Sequence, residues 1–114
     1  MDDKRVTVDK DLRLSVLDPL VEVHQVNMLE LVHLFTAFSI AKGLSPLPPK
    51  KKETISGAVF AEEDIYKLVA YEFKTAEPRR VAHELANAGM NYVKDKVKES
   101  QELREIFEFG EIEI

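Results

Sequence analysis

The sequence contains no cysteine. This absence excludes disulfide scaffolds, thiolate zinc sites, iron–sulfur clusters and a cysteine nucleophile. The chain has only four glycines, all isolated, so it lacks the glycine-rich loop that holds phosphates in nucleotide-binding enzymes. None of its five serines stands in the Gly-x-Ser-x-Gly pattern of a hydrolase. We therefore expect a protein without catalytic activity and without a cofactor.

A chain of 114 residues supports one compact domain, and we expect a single helical domain over residues 1–114. Apolar residues make up 45% of the chain and charged residues 32%, which is typical of a globular protein. No apolar segment follows the charged N-terminal residues, so a signal peptide is not predicted and we expect a cytoplasmic location. The high glutamate and lysine content, with only two glutamines, favours a thermophilic origin.

The net charge of −5 comes entirely from the second half of the chain, because residues 1–57 hold eight basic and eight acidic residues. A negative field disfavours non-specific binding to nucleic acids and to anionic membranes. Residues 99–111 carry a glutamate at every third position, which predicts a broad acidic face if they form a helix. Such a face either is simply solvated or docks an unidentified basic protein partner.

The strongest secondary-structure signal covers residues 19–42. Asp18 suits a helix N-cap, Pro19 suits the first helical position, and Gly43 suits the position just after a helix ends. No glycine or proline interrupts the segment, so the sequence predicts one long central helix over 19–42. Its internal charged residues are too costly to place in a bilayer, which argues against a membrane span.

Apolar residues recur along this helix at alternating spacings of three and four, as in the seam of a coiled coil. The helix is apolar around most of its circumference, and a small monomer has few elements with which to cover it. We therefore predict a homodimer, the commonest symmetric oligomer. The predicted interface consists of Val21, His24, Met28, Leu31, Phe35 and Phe38.

Residues 44–57 contain three prolines and three lysines, which predict an exposed, extended linker. A second helix is predicted over 58–74, with an inner stripe of Ile65, Leu68 and Val69. A third begins near Pro78. Small residues on its inner stripe predict a close helix crossing. These residues are Ala82, Ala86 and Gly89.

The two ends of the chain alternate apolar and polar residues. Val6-Thr7-Val8 and residues 111–114 are therefore candidates for short terminal strands that pair with each other, and a short fourth helix is predicted over 100–109. The predicted fold is mostly α, with three to four helices and short terminal β-strands.

Two groups of basic residues indicate an alternative function. Lys50, Lys51 and Lys52 form a run in the linker, and Arg79 and Arg80 open the third helix. Such residues neutralise phosphates in nucleic-acid-binding proteins, although the surrounding acidic residues oppose that interpretation here. Our main hypothesis is an interaction or assembly module, and the alternative is a nucleic-acid-associated regulator.

A second alternative is a helical metal-binding protein. Glu30 and His33 form a Glu-x-x-His pair, the spacing found in carboxylate-bridged di-iron bundles. Those sites need a second such pair, but Arg80 stands three residues before His83 where a glutamate is required. We therefore predict no metal site, with Glu30 and His33 as weak candidates only.

Overall fold

The computed structural model describes residues 6–55 and 62–97. The fold is mostly helical with a short two-stranded antiparallel sheet, which confirms the predicted fold class. In chain order the elements are β1 (Val6–Asp9), α1 (Lys10–Leu12), a π-helical segment (Arg13–Leu17), α2 (Asp18–His24), α3 (Met28–Lys42), β2 (Lys52–Ile55), α4 (Glu62–Phe73) and α5 (Pro78–Val97).

The sheet pairs β1 with β2, in a register that places Thr7 opposite Thr54 and Asp9 opposite Lys52. Residues 52–55 belong to the segment predicted as an exposed linker, so the strand differs from that prediction. The strand forms because β1 offers backbone groups that an extended segment can pair with. Residues 111–114, predicted as the partner of β1, lie outside the described residues, as does the predicted helix over 100–109.

The predicted continuous helix over 19–42 is wrong, because the chain leaves helical geometry between α2 and α3. Gln25 adopts a left-handed conformation with φ of 54°, and Asn27 is extended. The Asn27 side chain then accepts hydrogen bonds from the backbone N–H groups of Leu29 and Glu30, at 2.9 and 3.1 Å. Asn27 is therefore an N-cap that starts a new helix. The predicted end at Gly43 is confirmed, with φ of 73°.

The centre of the fold is the crossing of α3 and α5. Thr36 donates a hydrogen bond to the backbone carbonyl of Ala82, and Ser39 donates one to that of Leu85. A Cβ atom placed on Gly89 would lie only 2.8 Å from the Ser39 Oγ. The predicted close crossing is confirmed, because only a residue without a side chain allows this approach.

Helix α4 packs against α5 through a second apolar cluster. Tyr66 and Val69 of α4 are buried there against Leu85 of α5. Leu68, predicted to face inward, is 40% exposed, so that assignment is wrong. Tyr66 takes the inward position because it contacts His83 across the interface. Among the residues that the structure describes, no helix is long and apolar enough to cross a membrane.

Candidate anion-binding pocket

One carboxylate anchors the segment between α3 and β2 to the rest of the fold. The Asp9 carboxylate accepts hydrogen bonds from the backbone N–H groups of Lys50, Lys51 and Leu12, at 2.8 to 3.1 Å. The backbone N–H of Asp9 in turn donates to Asn87 of α5 at 3.0 Å. Asp9 therefore serves both as the N-cap of α1 and as the point where residues 50 and 51 attach.

Asn87 and Glu84 hold the same segment further along the chain. The Asn87 side-chain amide donates to the carbonyl of Leu47 at 3.1 Å, and the Leu47 N–H donates to the Glu84 carbonyl at 2.9 Å. These bonds place the proline-rich segment across one side of α5. Two cavities lie beside it, one next to the start of α5 and one nearer its end.

The first cavity, which we call the basic pocket, has a volume of about 330 Å³. That volume is at the small end of the range for ligand sites, roughly 300–1,000 Å³. Its polar lining comes from β1, β2 and α5, and Pro49 forms part of its wall. The polar lining residues are Thr7, Lys52, Arg79, Arg80, His83 and Glu84. Three permanent cations thus meet one carboxylate around a single cavity.

Arg80 is held in place by two carboxylates. Its guanidinium donates to Glu77 at 2.8 Å and to Glu84 at 3.3 Å. The hydrogen bond to Glu77 and the negative charges of both glutamates raise the pKa of Arg80 above its ordinary value. The side chain is 57% exposed, so this pairing contributes little to stability. Its effect is to offset much of the positive charge of Arg80.

Arg79 and His83 are positioned by one tyrosine. The Arg79 guanidinium lies 4.7 Å from the centre of the Tyr66 ring, in cation–π geometry. The Tyr66 hydroxyl is 3.0 Å from the Nε2 atom of His83, within hydrogen-bond distance. His83 is only 8% exposed. Tyr66 therefore orders two groups on the α5 side of the basic pocket.

The second cavity is similar in size, about 310 Å³, but different in charge. Lys50 and Lys94 line it together with Asp9 and Asp11. Because the two carboxylates offset the two ammonium groups, this cavity does not favour an anion. It provides an internal comparison for the basic pocket.

The predicted nucleic-acid residues are therefore divided between two places. Lys52 joins Arg79 and Arg80 at the basic pocket, as the alternative hypothesis requires. Lys50 lines the second cavity instead, and the Lys51 ammonium lies 3.9 Å from the Asp11 carboxylate. Lys51 and Lys52 are separated because Lys52 is the first residue of β2 and pairs with Asp9, whereas Lys51 lies just before the strand.

Sequence reasoning missed Thr7 and His83 as members of the pocket. Thr7 lies on the same face of the sheet as Lys52, because side chains two residues apart share a face and Asp9 is paired with Lys52. The β1–β2 pairing spans more than 40 residues of chain, and no local pattern indicates it. The sequence pattern offers His83 only as a metal ligand, and Arg80 stands where that pattern requires a glutamate.

Half of the residues predicted to form the dimer interface are buried in the core of a single chain instead. Leu31, Phe35 and Phe38 are 3%, 0% and 1% exposed and belong to the main core cluster with residues of α5. They present no surface to a second copy in this fold. Val21 and Met28 are only partly buried against that cluster, and His24 is partly exposed at the end of α2. The homodimer itself stays a prediction.

Glu30 and His33, the weak metal candidates, have different surroundings in the structure. Glu30 is exposed near the start of α3, whereas the ring of His33 packs edge-on against Tyr66 with centroids 5.7 Å apart. Within residues 6–55 and 62–97, no three His, Cys, Asp or Glu side chains are grouped so that they could hold a metal ion.

Comparisons with protein-family models, with curated proteins and with solved structures found no match to this chain.

Proposed function

We propose that this protein is an interaction module without catalytic activity, and that its partner is a single-stranded nucleic acid held at the basic pocket. The observation that supports the proposal is the convergence of Lys52 from β2 with Arg79 and Arg80 from α5 around one cavity. Lysine and arginine side chains that neutralise phosphates supply most of the affinity of proteins for nucleic acids.

The size of the pocket favours a single strand over a duplex. Specific duplex recognition uses a broad surface, roughly 1,000 Å² or more of protein in most complexes. The basic pocket is instead a small concave site of about 330 Å³ with three basic side chains in its lining. A single strand is flexible enough to direct one phosphate into a small concave site. The net charge of −5 repels phosphates elsewhere on the molecule, so binding is confined to the pocket and is moderate in strength.

The sequence-based expectations of a homodimer, a cytoplasmic location and a thermophilic origin remain part of this proposal. The homodimer is supported by Val21, His24 and Met28, the residues of the predicted interface that are only partly buried, and the thermophilic origin by the glutamate and lysine content. A dimer would bring two basic pockets into one particle. The two pockets would then act on one strand and raise its apparent affinity.

The test is the affinity for fluorescently labelled oligothymidine, measured by anisotropy over a range of salt concentrations. We expect the affinity to fall steeply as salt rises, because bound phosphates release their counterions. Lys52→Gln should reduce the slope of log affinity against log salt by about 0.7, which is the contribution of one phosphate contact on a single strand.

Lys94→Gln is the matched control, because Lys94 lines the charge-balanced second cavity. It should leave both the affinity and the salt slope close to those of the unchanged protein. The proposal is wrong if oligothymidine does not bind at low salt, or if the Lys52 and Lys94 variants lose affinity equally.

A further inference from the structure

The second cavity is lined by charges of both signs that are not paired with each other. Lys50 and Lys94 line it together with Asp9 and Asp11, around a volume of about 310 Å³. Within residues 6–55 and 62–97, neither of these lysines forms an ion pair with either of these aspartates. Opposite charges that surround one small space without direct contact leave room for a ligand that carries both signs.

The buried part of the lining carries a negative charge. Asp9 is 7% exposed, and its carboxylate accepts hydrogen bonds from the backbone N–H groups of Lys50, Lys51 and Leu12. These donors are neutral, so they satisfy oxygen lone pairs without cancelling the charge. Because a buried charge favours an opposite charge beside it, the cavity suits a ligand with a cationic group. Asp11, which is exposed, adds a second carboxylate for that group.

Two lysines from other elements supply the positive charge. Lys94 and Asn91 lie three residues apart, so they share one face of α5. The Lys50 N–H donates to Asp9 at 2.8 Å, which fixes the start of the Lys50 side chain beside the cavity. The two ammonium groups match the charge of a ligand carboxylate, and the Asn91 side-chain amide adds N–H donors.

The chain departs from α-helical geometry where it meets this cavity. Arg13–Leu17 is a π-helical segment, and Ser15 within it lines the cavity. π-helical turns are rare and occur frequently at functional sites. The rest of the lining is apolar and consists of Leu12, Leu47 and Pro48. A hydroxyl group and an apolar wall therefore lie next to the two pairs of charges.

We propose that the second cavity binds a free α-amino acid with an apolar side chain, at a site separate from the basic pocket. Asp9 and Asp11 receive the α-ammonium group, Lys50 and Lys94 receive the α-carboxylate, and the apolar wall covers the side chain. A zwitterion preserves the charge balance of the cavity, whereas a simple cation meets the two lysines and a simple anion meets the two aspartates.

The size of the cavity agrees with a ligand of this class. Ligand sites span roughly 300–1,000 Å³, and about 310 Å³ is at the lower end of that range. This volume suits one amino acid and is small for a peptide. An α-amino acid also combines an ammonium group, a carboxylate and an apolar group around one carbon atom, as the three parts of the lining require.

The experiment is isothermal titration calorimetry of the full chain with L-leucine, L-methionine and L-valine. Two leucine analogues test the zwitterion requirement, since N-acetyl-L-leucine lacks the ammonium group and L-leucinamide lacks the carboxylate. We expect each analogue to bind about tenfold more weakly than leucine or worse, because each loses charge-assisted hydrogen bonds.

Two variants with matched controls locate the site. Asp11→Asn and Lys94→Gln should each lower the affinity for leucine by about three- to tenfold. Asp95→Asn and Lys10→Gln remove the same charges at exposed positions outside the lining, so they should keep the wild-type affinity. Asp9 is left unchanged because it also caps α1. Far-ultraviolet circular dichroism of each variant checks that the fold is retained.

The outcomes decide this proposal independently of the nucleic-acid proposal. Tighter binding of leucine than of both analogues, weakened in Lys94→Gln and kept in Lys10→Gln, supports the amino-acid site. The proposal is overturned if none of the three amino acids binds at millimolar concentration, or if leucinamide binds as tightly as leucine. Equal losses in Lys94→Gln and Lys10→Gln would also overturn it, because they would reflect the overall charge and not the cavity.

Discussion

Asp9 caps α1 and attaches residues 50 and 51 to the fold, a structural role that its position at the end of a short strand does not indicate. Burial raises the pKa of its carboxyl, but hydrogen bonds from backbone N–H groups, first those of Lys51 and Leu12, lower it by more. The pKa therefore lies below the ordinary value of 3.8. A lowered pKa in the folded state means that the carboxylate stabilises the fold above pH 3.8, and that this contribution is lost as the pH falls through the folded-state pKa.

We predict that Asp9→Asn lowers the free energy of unfolding by about 1–3 kcal/mol at neutral pH, because asparagine keeps one acceptor oxygen but its NH2 group would face the N–H donors bonded to the other. Urea unfolding at a series of pH values measures the difference. It should shrink in acid, as the wild-type carboxyl takes up its proton.

Asp11→Asn is the control, because the Asp11 side chain is 64% exposed and its carboxylate lies 3.9 Å from the Lys51 ammonium. Its effect should stay below about 1 kcal/mol, as for other exposed ion pairs. A difference between Asp9→Asn and wild type that persists unchanged in acid would contradict the role assigned to the carboxylate.

At the scale of elements, the α3–α5 crossing depends on Gly89. A methyl group at this position would lie 2.9 Å from the backbone oxygen of Phe35 as well as 2.8 Å from the Ser39 Oγ. The serine side chain can rotate, but the backbone oxygen belongs to α3 and moves only with the helix. The contact between two helices therefore has no easy way to relax.

We predict that Gly89→Ala lowers the free energy of unfolding by about 1–3 kcal/mol, the usual cost of overpacking. An alanine at an exposed helical site would instead stabilise by about 1 kcal/mol. Thermal unfolding shows whether the alanine destabilises or stabilises the protein. In a Ser39→Ala background the cost should decrease without vanishing, because the contact with the Phe35 oxygen remains.

At the scale of the whole molecule, the burial of the α3 seam changes how a dimer must be tested. Phe35→Glu should unfold the chain instead of releasing a folded monomer, since it places a charge in the core at a cost of several kcal/mol. Circular dichroism reports the loss of helix. Val23→Glu is the matched control, because Val23 is 65% exposed, and it should keep the fold.

Native mass spectrometry of the unchanged protein decides the oligomeric state independently. Twice the chain mass would support the homodimer and direct the search for its interface to the partly exposed Val21, His24 and Met28. The chain mass alone at the highest concentration would contradict the predicted dimer. A folded Phe35→Glu monomer would show that the burial of Phe35 against α5 is not essential.

Local patterns were sufficient to predict the start of α5 at Pro78, the end of α3 at Gly43 and the small residues of the helix crossing. These features follow from fixed φ angles, a left-handed glycine and the spacing of side chains along a helix, all of which act over a few residues. The break at Gln25 was not predicted, because no glycine or proline marks it in the sequence. Only the structure shows that the Asn27 side chain accepts hydrogen bonds from the N–H groups of Leu29 and Glu30 and so starts a new helix.

Composition and periodicity established a mostly helical fold without thiol chemistry, and they identified both groups of basic residues. The tertiary structure alone decided that Lys52 belongs with Arg79 and Arg80, while Lys50 and Lys51 face carboxylates. It also decided that Phe35 and Phe38 are covered by α5. The physical reason is that strand pairing and helix crossing join residues more than 40 positions apart, through backbone and packing contacts that no local pattern specifies.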